Sequence, residues 1–300
     1  MKVLSKIVET IAYVSEQRKL GKTIGFVPTM GALHQGHLSL MRQAKKENDL
    51  LIVSIFVNPI QFNNKSDLKK YPRNIESDGK MLDEVECDIL FAPTAEEMYP
   101  EPINKKYDFG KLGDVMEGAN RPGHFNGVAI VVKKLFEICL PHKAYFGEKD
   151  FQQLAIINKL VKMENMDLEI IPCPIVREKD GLAMSSRNTR LSDDQRKQAP
   201  IIYKTLLQAK EMAKYSTVNQ VKNWVENEIS TNNAFQLEYF NISDDIDLQS
   251  VSGWNHDKNT MGFIVVNMGN VRLIDNIRLF NSFADAKGVQ KPLRHENRNS

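Results

Sequence analysis

Apolar positions along this chain switch between a helical period and short continuous runs. Leu4, Ile7, Val8, Ile11 and Val14 recur at helical spacing, so the chain is expected to open with a helix. Ile24, Phe26 and Val27 then predict a short buried strand, which Pro28 is expected to end because it has no N–H for a sheet ladder. A helix over about 36–48 leads into 50–57, a near-continuous β-branched run of the kind buried on both faces of a parallel sheet. Further on, the pattern predicts a helix at 75–85, a strand at 88–92 and a helix at 123–140. A strand at 143–147, a helix at 151–163 and a strand at 168–172 follow. Alternating β and α units argue for an α/β, Rossmann-like, doubly wound parallel sheet, whose ligands sit beyond the carboxyl ends of its strands.

The texture changes near residue 188. Helices at 193–215 and 218–229 and strands at 236–242, 262–266 and 271–274 predict a smaller α+β C-terminal domain. The expected domains are therefore 1–187 and 188–300, joined around 185–191, with the second closing over the site of the first. A polar tail from Lys287 is expected to fray.

Composition narrows the class. Three hundred residues suffice for a sizeable core, and 40 basic against 38 acidic residues give no electrostatic case for nucleic acid or a lipid surface. Cys87, Cys139 and Cys173 are few, odd in number and without a Cys-x-x-Cys pair, which suits buried thiols in a reducing cytoplasm. Glu9 and Glu16 interrupt the first apolar pattern, unlike a signal peptide, and no apolar run approaches a membrane span. A soluble cytoplasmic chain is expected.

The candidate chemistry is concentrated in 23–40. Gly31 and Gly36 bracket a tight turn between a strand and a helix, and the first N–H groups of a helix lack partners. With about half a positive charge from the helix dipole, that turn is an anion site. His34 and His37 are delivered to the same place, which suits an oligophosphate whose charge rises during reaction. Gly31-x4-Gly36-His37-Leu38 nearly matches a P-loop but lacks its Lys and Ser/Thr. One His in a turn is more often structural than catalytic; two in a His-x-Gly-His arrangement after a strand are harder to dismiss. The arrangement resembles the His-Ile-Gly-His signature of adenylyl-transferring Rossmann-like enzymes.

Other segments also follow predicted strands. In Phe56-Val-Asn-Pro-Ile-Gln-Phe62, Pro59 forces an extended exit, and Asn58 and Gln61 offer amides suited to hydroxyl and carboxylate groups, unless the turn's amides are incidental. In Phe146-Gly-Glu-Lys-Asp-Phe-Gln-Gln153, Gly147 permits close backbone approach, Lys149 is a point charge for phosphate, and Gln153 lies one turn into a helix. A solvated surface turn is the plainer alternative. Met184-Ser-Ser-Arg187 supplies two hydroxyls and a guanidinium and resembles the mobile Lys-Met-Ser-Lys-Ser loop of class I aminoacyl-tRNA synthetases. His124, in Arg121-Pro-Gly-His-Phe-Asn-Gly127, is either a substrate-side group or a structural hydrogen-bonder.

Together these pieces resemble the pantothenate synthetase (pantoate–β-alanine ligase) family. The likeness is carried by Pro-Thr-Met-Gly-Ala-Leu-His-x-Gly-His at 28–37, Phe-Val-Asn-Pro-x-Gln-Phe at 56–62 and Tyr-Pro-Arg at 71–73. Arg-Pro-Gly-His-Phe at 121–125, Phe-Gly-Glu-Lys-Asp-x-Gln-Gln at 146–153 and Asp-Gly-Leu-Ala-Met-Ser-Ser-Arg-Asn at 180–188 continue it. Arg-Leu-Ile-Asp-Asn at 272–276 carries it into the second domain. Pro141-His142, where relatives often show Pro-Asp, the variable Asn126 and the tail after about Phe283 are departures.

The resemblance implies ATP-dependent activation of pantoate to an enzyme-bound pantoyl adenylate, release of pyrophosphate, and attack by β-alanine to give pantothenate and AMP. It implies ATP binding by Met30, Gly31, Ala32, Leu33, His34, Gln35, Gly36 and His37, by Gly147, Glu148, Lys149 and Asp150, by Val176, and by Met184, Ser185, Ser186 and Arg187. Catalytic roles fall to His37, His34 and Lys149, with Lys149, Ser185 and Ser186 on phosphate. Gln61 and Gln153 would hold pantoate, and Gln61 would also meet β-alanine. A triphosphate neighbour favours imidazolium, so both His34 and His37 are open to carrying charge at neutral pH despite an ordinary pKa of about 6.5. Mg2+ is expected with ATP, held mostly by phosphates and water, with Asp150 as one candidate contact and Asp78 a weaker one. A homodimer is implied by the same resemblance. Two other classes remain open: another nucleotidyltransferase using the same turn, which a substrate screen separates, and a non-catalytic nucleotide sensor or RNA-binding module. Near-neutral charge and the lack of a basic stripe with interleaved aromatics count against RNA.

Overall fold

A computed structural model describes residues 1–63, 68–69, 71, 74–255 and 257–282. Pro72 and Arg73 of the Tyr-Pro-Arg motif and the polar tail lie outside the described residues. The chain divides into two compact units, Met1–Arg190 and the chain from Leu191 onward.

The first unit is built on six parallel strands: β1 (Lys2–Leu4), β2 (Ile24–Thr29), β3 (Leu50–Ile55), β4 (Ile89–Phe91), β5 (Lys143–Gly147) and β6 (Glu169–Cys173). Their order across the sheet is β1-β4-β3-β2-β5-β6, and every pairing is parallel. The order reverses at β2, between β3 on one side and β5 on the other, which is where a doubly wound sheet opens a crevice for ligands. Five of the six β3 residues are buried, as expected for a strand covered on both faces. The Gln35–Glu47 helix seals one face with Leu38, Met41 and Ala44. On the sheet's other layer Phe136, from the His124–Cys139 helix, meets Phe26 edge to face, centroids 6.2 Å apart.

Three expectations are corrected. The chain opens with a strand, not a helix: Lys2–Leu4 pairs with Ile89–Phe91 at the sheet edge before the Ile7–Lys19 helix begins. That helix buries Thr10, Val14 and Gln17, while Val8 is 78% exposed, so the buried face is more polar than the apolar spacing suggested. Pro28 does not end β2, which runs on to Thr29 with Pro28 opposite Ser54 of β3. The physical reason is parity. Ile24 exchanges bonds with His142 at the start of β5, whereas Thr23 and Thr29 carbonyls accept from Leu50 and Phe56 on the β3 side. By alternation Pro28 directs its missing N–H towards β5, and the β2–β5 ladder has already stopped at Phe26–Ala144. Pro28 therefore ends one ladder rather than the strand. His142 accepts the Ile24 N–H on Nδ1 at 2.9 Å.

The second unit holds an antiparallel sheet, β7 (Gln236–Asp244), β8 (Thr260–Met268) and β9 (Val271–Phe280), in the order β7-β8-β9. The expected 193–215 helix is two helices, Asp193–Gln198 and Ile201–Met212, because Pro200 lacks the N–H an uninterrupted helix needs and instead caps the second. Ile201–Met212 packs against β9, and Val218–Ser230 against β7.

Candidate active site

Beyond Phe26 the strands β2 and β5 no longer pair, and the gap between their carboxyl ends opens into a cavity of about 240 Å³. Pro28, Thr29 and Met30 line it from β2, Phe56 and Asn58 from the exit of β3, and Tyr145, Phe146 and Gly147 from β5. All the lining residues belong to the first unit.

The turn after β2 is strained and externally held. Gly31 and Ala32 both take positive φ, 80° and 51°, and a non-glycine residue there costs about 1–2 kcal/mol. Asp78, 3% exposed in the Ile75–Glu84 helix, offsets this by accepting the N–H groups of Ala32 at 2.9 Å and Leu33 at 2.8 Å. Each carboxylate oxygen thus holds one N–H of the turn, a structural role that the weaker reading of Asp78 as a metal contact did not include. Ser186 Oγ donates to the Ala32 carbonyl at 2.9 Å, and Ser185 Oγ accepts the Arg187 N–H at 3.2 Å. The hydroxyls expected on phosphate therefore hold the turn and their own loop in this structure.

Gln35–Glu47 then starts with His34 as its cap. His34 Nδ1 accepts the Gly36 N–H at 3.1 Å, so the neutral ring carries its proton on Nε2. A Cβ at 36 would lie 2.8 Å from the His34 ring, so any larger residue there would displace that imidazole. The His37 ring lies 4.0 Å from that of His34, tilted by 35°, and its buried Nδ1 has no hydrogen-bond partner among the described residues. Burial, with Lys149 second, holds His34 down to about 4. Burial, then His34 and then Lys149, hold His37 down to about 3. With protein groups alone around them both rings are neutral at pH 7, and the charged state expected beside a triphosphate requires that anion to arrive.

Lys149, Asp150 and Gln153 line the cavity after β5, as do Val176, Met184, Ser185, Ser186 and Arg187. The Arg187 guanidinium stands 5.9 Å from the centre of the Tyr71 ring. Gly31, Ala32, Leu33, Gln35 and Glu148 are not on the wall: Ala32 and Leu33 bond to Asp78, and Gln35 Oε1 accepts from Arg42. Sequence reasoning missed Thr29, Leu40, Tyr71, Pro174 and Ile175, and an apolar flank of Val128, Val131, Val132 and Leu135. Nothing in an apolar helix marks which of its side chains face a cavity rather than the core.

Gln61 projects from the Pro59–Gln61 turn, with its Nε2 donating to Met30 Sδ at 3.2 Å. His124 holds the same residue by its backbone: Nδ1 lies 2.9 Å from the Gln61 carbonyl and must carry the proton, since that oxygen only accepts. Burial, then Arg121, push His124 down to about 4, so it is a neutral structural donor. The turn presses on the His124–Cys139 helix at Gly127, where a Cβ would lie 2.6 Å from Ile60 O and 2.8 Å from Gln61 Cα. Gly127→Ala is accordingly expected to displace Gln61 and cost about 1–3 kcal/mol of overpacking. Thermal melting together with the KM for the acid substrate checks it; wild-type values of both would mean the turn is free to move.

Asp150 is the one carboxylate among the lining residues described. A single carboxylate beside Lys149 suits Mg2+ carried in on phosphates, not a protein-built metal cage, and no cluster of three or more His, Cys, Asp or Glu able to hold a metal occurs among the described residues. No helix among them is long and apolar enough to cross a membrane, and all three cysteines are buried and free.

The pantoate-beta-alanine ligase family model matches residues 2–278. Pantothenate synthetase of Bacteroides fragilis is 51% identical over 278 residues, 93% of this chain and 99% of that protein; that of Bacteroides thetaiotaomicron is 49% identical with the same coverage. The crystal structure of the pantothenate synthetase from Thermus thermophilus superposes with a TM-score of 0.87 at 40% identity, covering 93% of this chain and 100% of that one. A pantoate-beta-alanine ligase from Francisella tularensis, crystallised with beta-gamma ATP and beta-alanine, superposes with a TM-score of 0.79 at 36% identity, covering 93% and 98%. With its cavity at the sheet's switch point and its likeness running almost end to end, the chain belongs to the pantoate-beta-alanine ligase family.

Proposed function

We propose that this chain joins pantoate to β-alanine at the expense of ATP, through a pantoyl adenylate held in the cavity between β2 and β5. The observation that carries this reading is the shared wall: paired imidazoles at a helix N-terminus, a lysine, and two glutamine amides line one cavity beside an apolar flank. The first set suits a triphosphate. The amides of Gln61 and Gln153 suit the hydroxyl and carboxylate of a small hydroxy acid, and Val128, Val131, Val132 and Leu135 suit its methyl groups. Gln61 is also placed to meet β-alanine once the adenylate has formed.

In the first step a pantoate carboxylate oxygen attacks the α-phosphorus of ATP and the bond to pyrophosphate breaks. The protein aligns the two groups and stabilises charge developing on phosphate oxygens. His34 donates from Nε2–H, His37 gains a proton or a hydrogen bond as the anion arrives, and Lys149 supplies a fixed positive charge. Arg187, and Ser185 and Ser186 when their present bonds exchange, complete the phosphate side. Mg2+ would neutralise phosphate charge, with Asp150 as its protein contact. In the second step the β-alanine amine attacks the acyl carbon and AMP leaves. Closure of the second domain over the adenylate, exclusion of water, a homodimeric assembly and a cytoplasmic setting belong to the same reading, the last supported by three free cysteines.

Pyrophosphate release tests it, with ATP, pantoate and β-alanine omitted in turn. A single turnover is expected without β-alanine and sustained release only with all three; release without pantoate would mean a different nucleotidyltransferase. Gln61→Ala is expected to weaken pantoate binding by about 1–3 kcal/mol through the loss of a polar partner, with ATP binding little changed. Titration giving lost ATP affinity at unchanged pantoate affinity would reverse the assignment.

A further inference from the structure

Gln61 can face a substrate with either end of its amide, and the two ends recognise opposite things. Nε2 donates to a carboxylate or hydroxyl oxygen, whereas Oε1 repels a carboxylate. Which end points into the cavity is decided by neighbours. Gln61 Oε1 accepts from Asn58 Nδ2 at 3.0 Å, which turns Nε2 towards Met30 Sδ. Thioether sulfur is a weak acceptor, so an arriving oxygen displaces it easily.

Asn58 has its own orientation fixed from behind. It is 1% exposed, and its four amide positions are all used. The Gly127 carbonyl, which only accepts, takes Nδ2 at 3.1 Å; the Ile60 N–H, which only donates, reaches Oδ1 at 3.4 Å. These backbone groups allow one assignment of nitrogen and oxygen. The Ile60 bond is long, however, and the short bond on Oδ1 comes from the Tyr99 hydroxyl at 2.9 Å. Tyr99 is itself located by an edge-to-face contact with Phe56, centroids 5.9 Å apart. Burial raises its phenol above the ordinary range, so the proton it donates stays in place.

We propose that Tyr99, which is not on the cavity wall, is a positioning residue that acts through Asn58 to hold the Gln61 amide donor-first towards the acid substrate. The polarity runs one way: Tyr99 O–H to Asn58 Oδ1, Asn58 Nδ2–H to Gln61 Oε1, Gln61 Nε2–H to the substrate oxygen. A hydroxyl removed at the far end frees Asn58 to rock about its remaining bonds, and the Gln61 amide then samples its reversed orientation. The proposal rests on the assignment of Gln61 to the acid substrate.

Tyr99→Phe keeps the ring and its contact with Phe56 and deletes only the hydroxyl. It is expected to raise the KM for pantoate on the order of tenfold, as for one neutral hydrogen bond, with the KM for ATP and the melting temperature close to wild type. A purely structural residue lowers the melting temperature and disturbs both substrates. The decisive arm is a cycle with Gln61→Ala. If Tyr99 acts through Gln61, Tyr99→Phe adds no further loss once that amide is gone. Equal effects of Tyr99→Phe in both backgrounds would overturn the relay while leaving Gln61 in the site. An unchanged pantoate KM in Gln61→Ala alone would overturn the assignment of Gln61, and the relay with it.

Discussion

His37→Ala is expected to yield a folded protein that forms the acyl adenylate about 10²–10³ times more slowly, the loss seen when one preorganised charge stabiliser is removed. The ring contributes little to holding the fold, because its buried Nδ1 has no hydrogen-bond partner among the described residues. Its surroundings instead make it costly to charge: burial, His34 and Lys149 push it down to about 3. An oligophosphate at the N-terminus of the Gln35–Glu47 helix reverses that balance by supplying opposite charge. The sign follows. Binding raises the imidazole pKa, so protons are taken up as ATP binds near neutral pH. ATP affinity therefore falls as pH rises through the pKa of the bound state. Calorimetry in two buffers of different ionisation enthalpy reads this uptake, which is expected to shrink in His37→Ala. A single-turnover rate near wild type in the folded variant would remove His37 from the chemistry.

Much of this arrangement is legible in the residues alone. The alternation of apolar runs with helical periods located β2, β3 and β5; Gly31 and Gly36 marked the turn by its geometry, and His34 and His37 by their chemistry. What escaped was whatever depends on which neighbour a group faces. The missing N–H of Pro28 predicts a stop for the strand, yet parity turns it towards a gap where no ladder exists to break. Val8 and Ile11 have helical spacing but lie on the exposed side, because the helix turns its other face to the His124–Cys139 helix, a partner its own pattern does not name. The residue types of Asn58 and Gln61 predict that both face ligand. Both line the cavity, but Asn58 is 1% exposed and its Nδ2 donates to Gln61 Oε1, so its amide is engaged with protein groups. Pro200 was visible in the sequence and enough to break the 193–215 helix. Asp78 was the hardest, since two acceptor oxygens meeting two backbone N–H groups 45 and 46 residues away leave no local trace.

Asp78 also carries the other large expected effect. Asp78→Ala removes the acceptors for Ala32 and Leu33 N–H, and Leu33 is 7% exposed, so water does not readily replace them. Each stranded donor costs about 1–3 kcal/mol, and the positive φ of Ala32 loses the bonds that offset it. A destabilisation of roughly 2–4 kcal/mol follows, which lowers the melting temperature of a unit this size by roughly 5–10 °C. The loss does not stop at stability. Ala32 also accepts from Ser186, so a turn released on one side loosens the 184–187 segment and the approach to His34 together. Adenylation is therefore expected to fall steeply, with the KM for ATP rising more than that for pantoate, because the Gln61 side is held by His124 and Asn58 instead. Asp78→Asn is no rescue: its amide offers one acceptor and aims its NH2 at a backbone N–H. A metal ligand behaves differently, since its loss shifts the Mg2+ requirement and leaves the apoprotein's melting untouched. Melting and Mg2+ titration of Asp78→Ala, measured side by side, separate these outcomes, and an unshifted melting curve would return Asp78 to the list of candidate metal contacts.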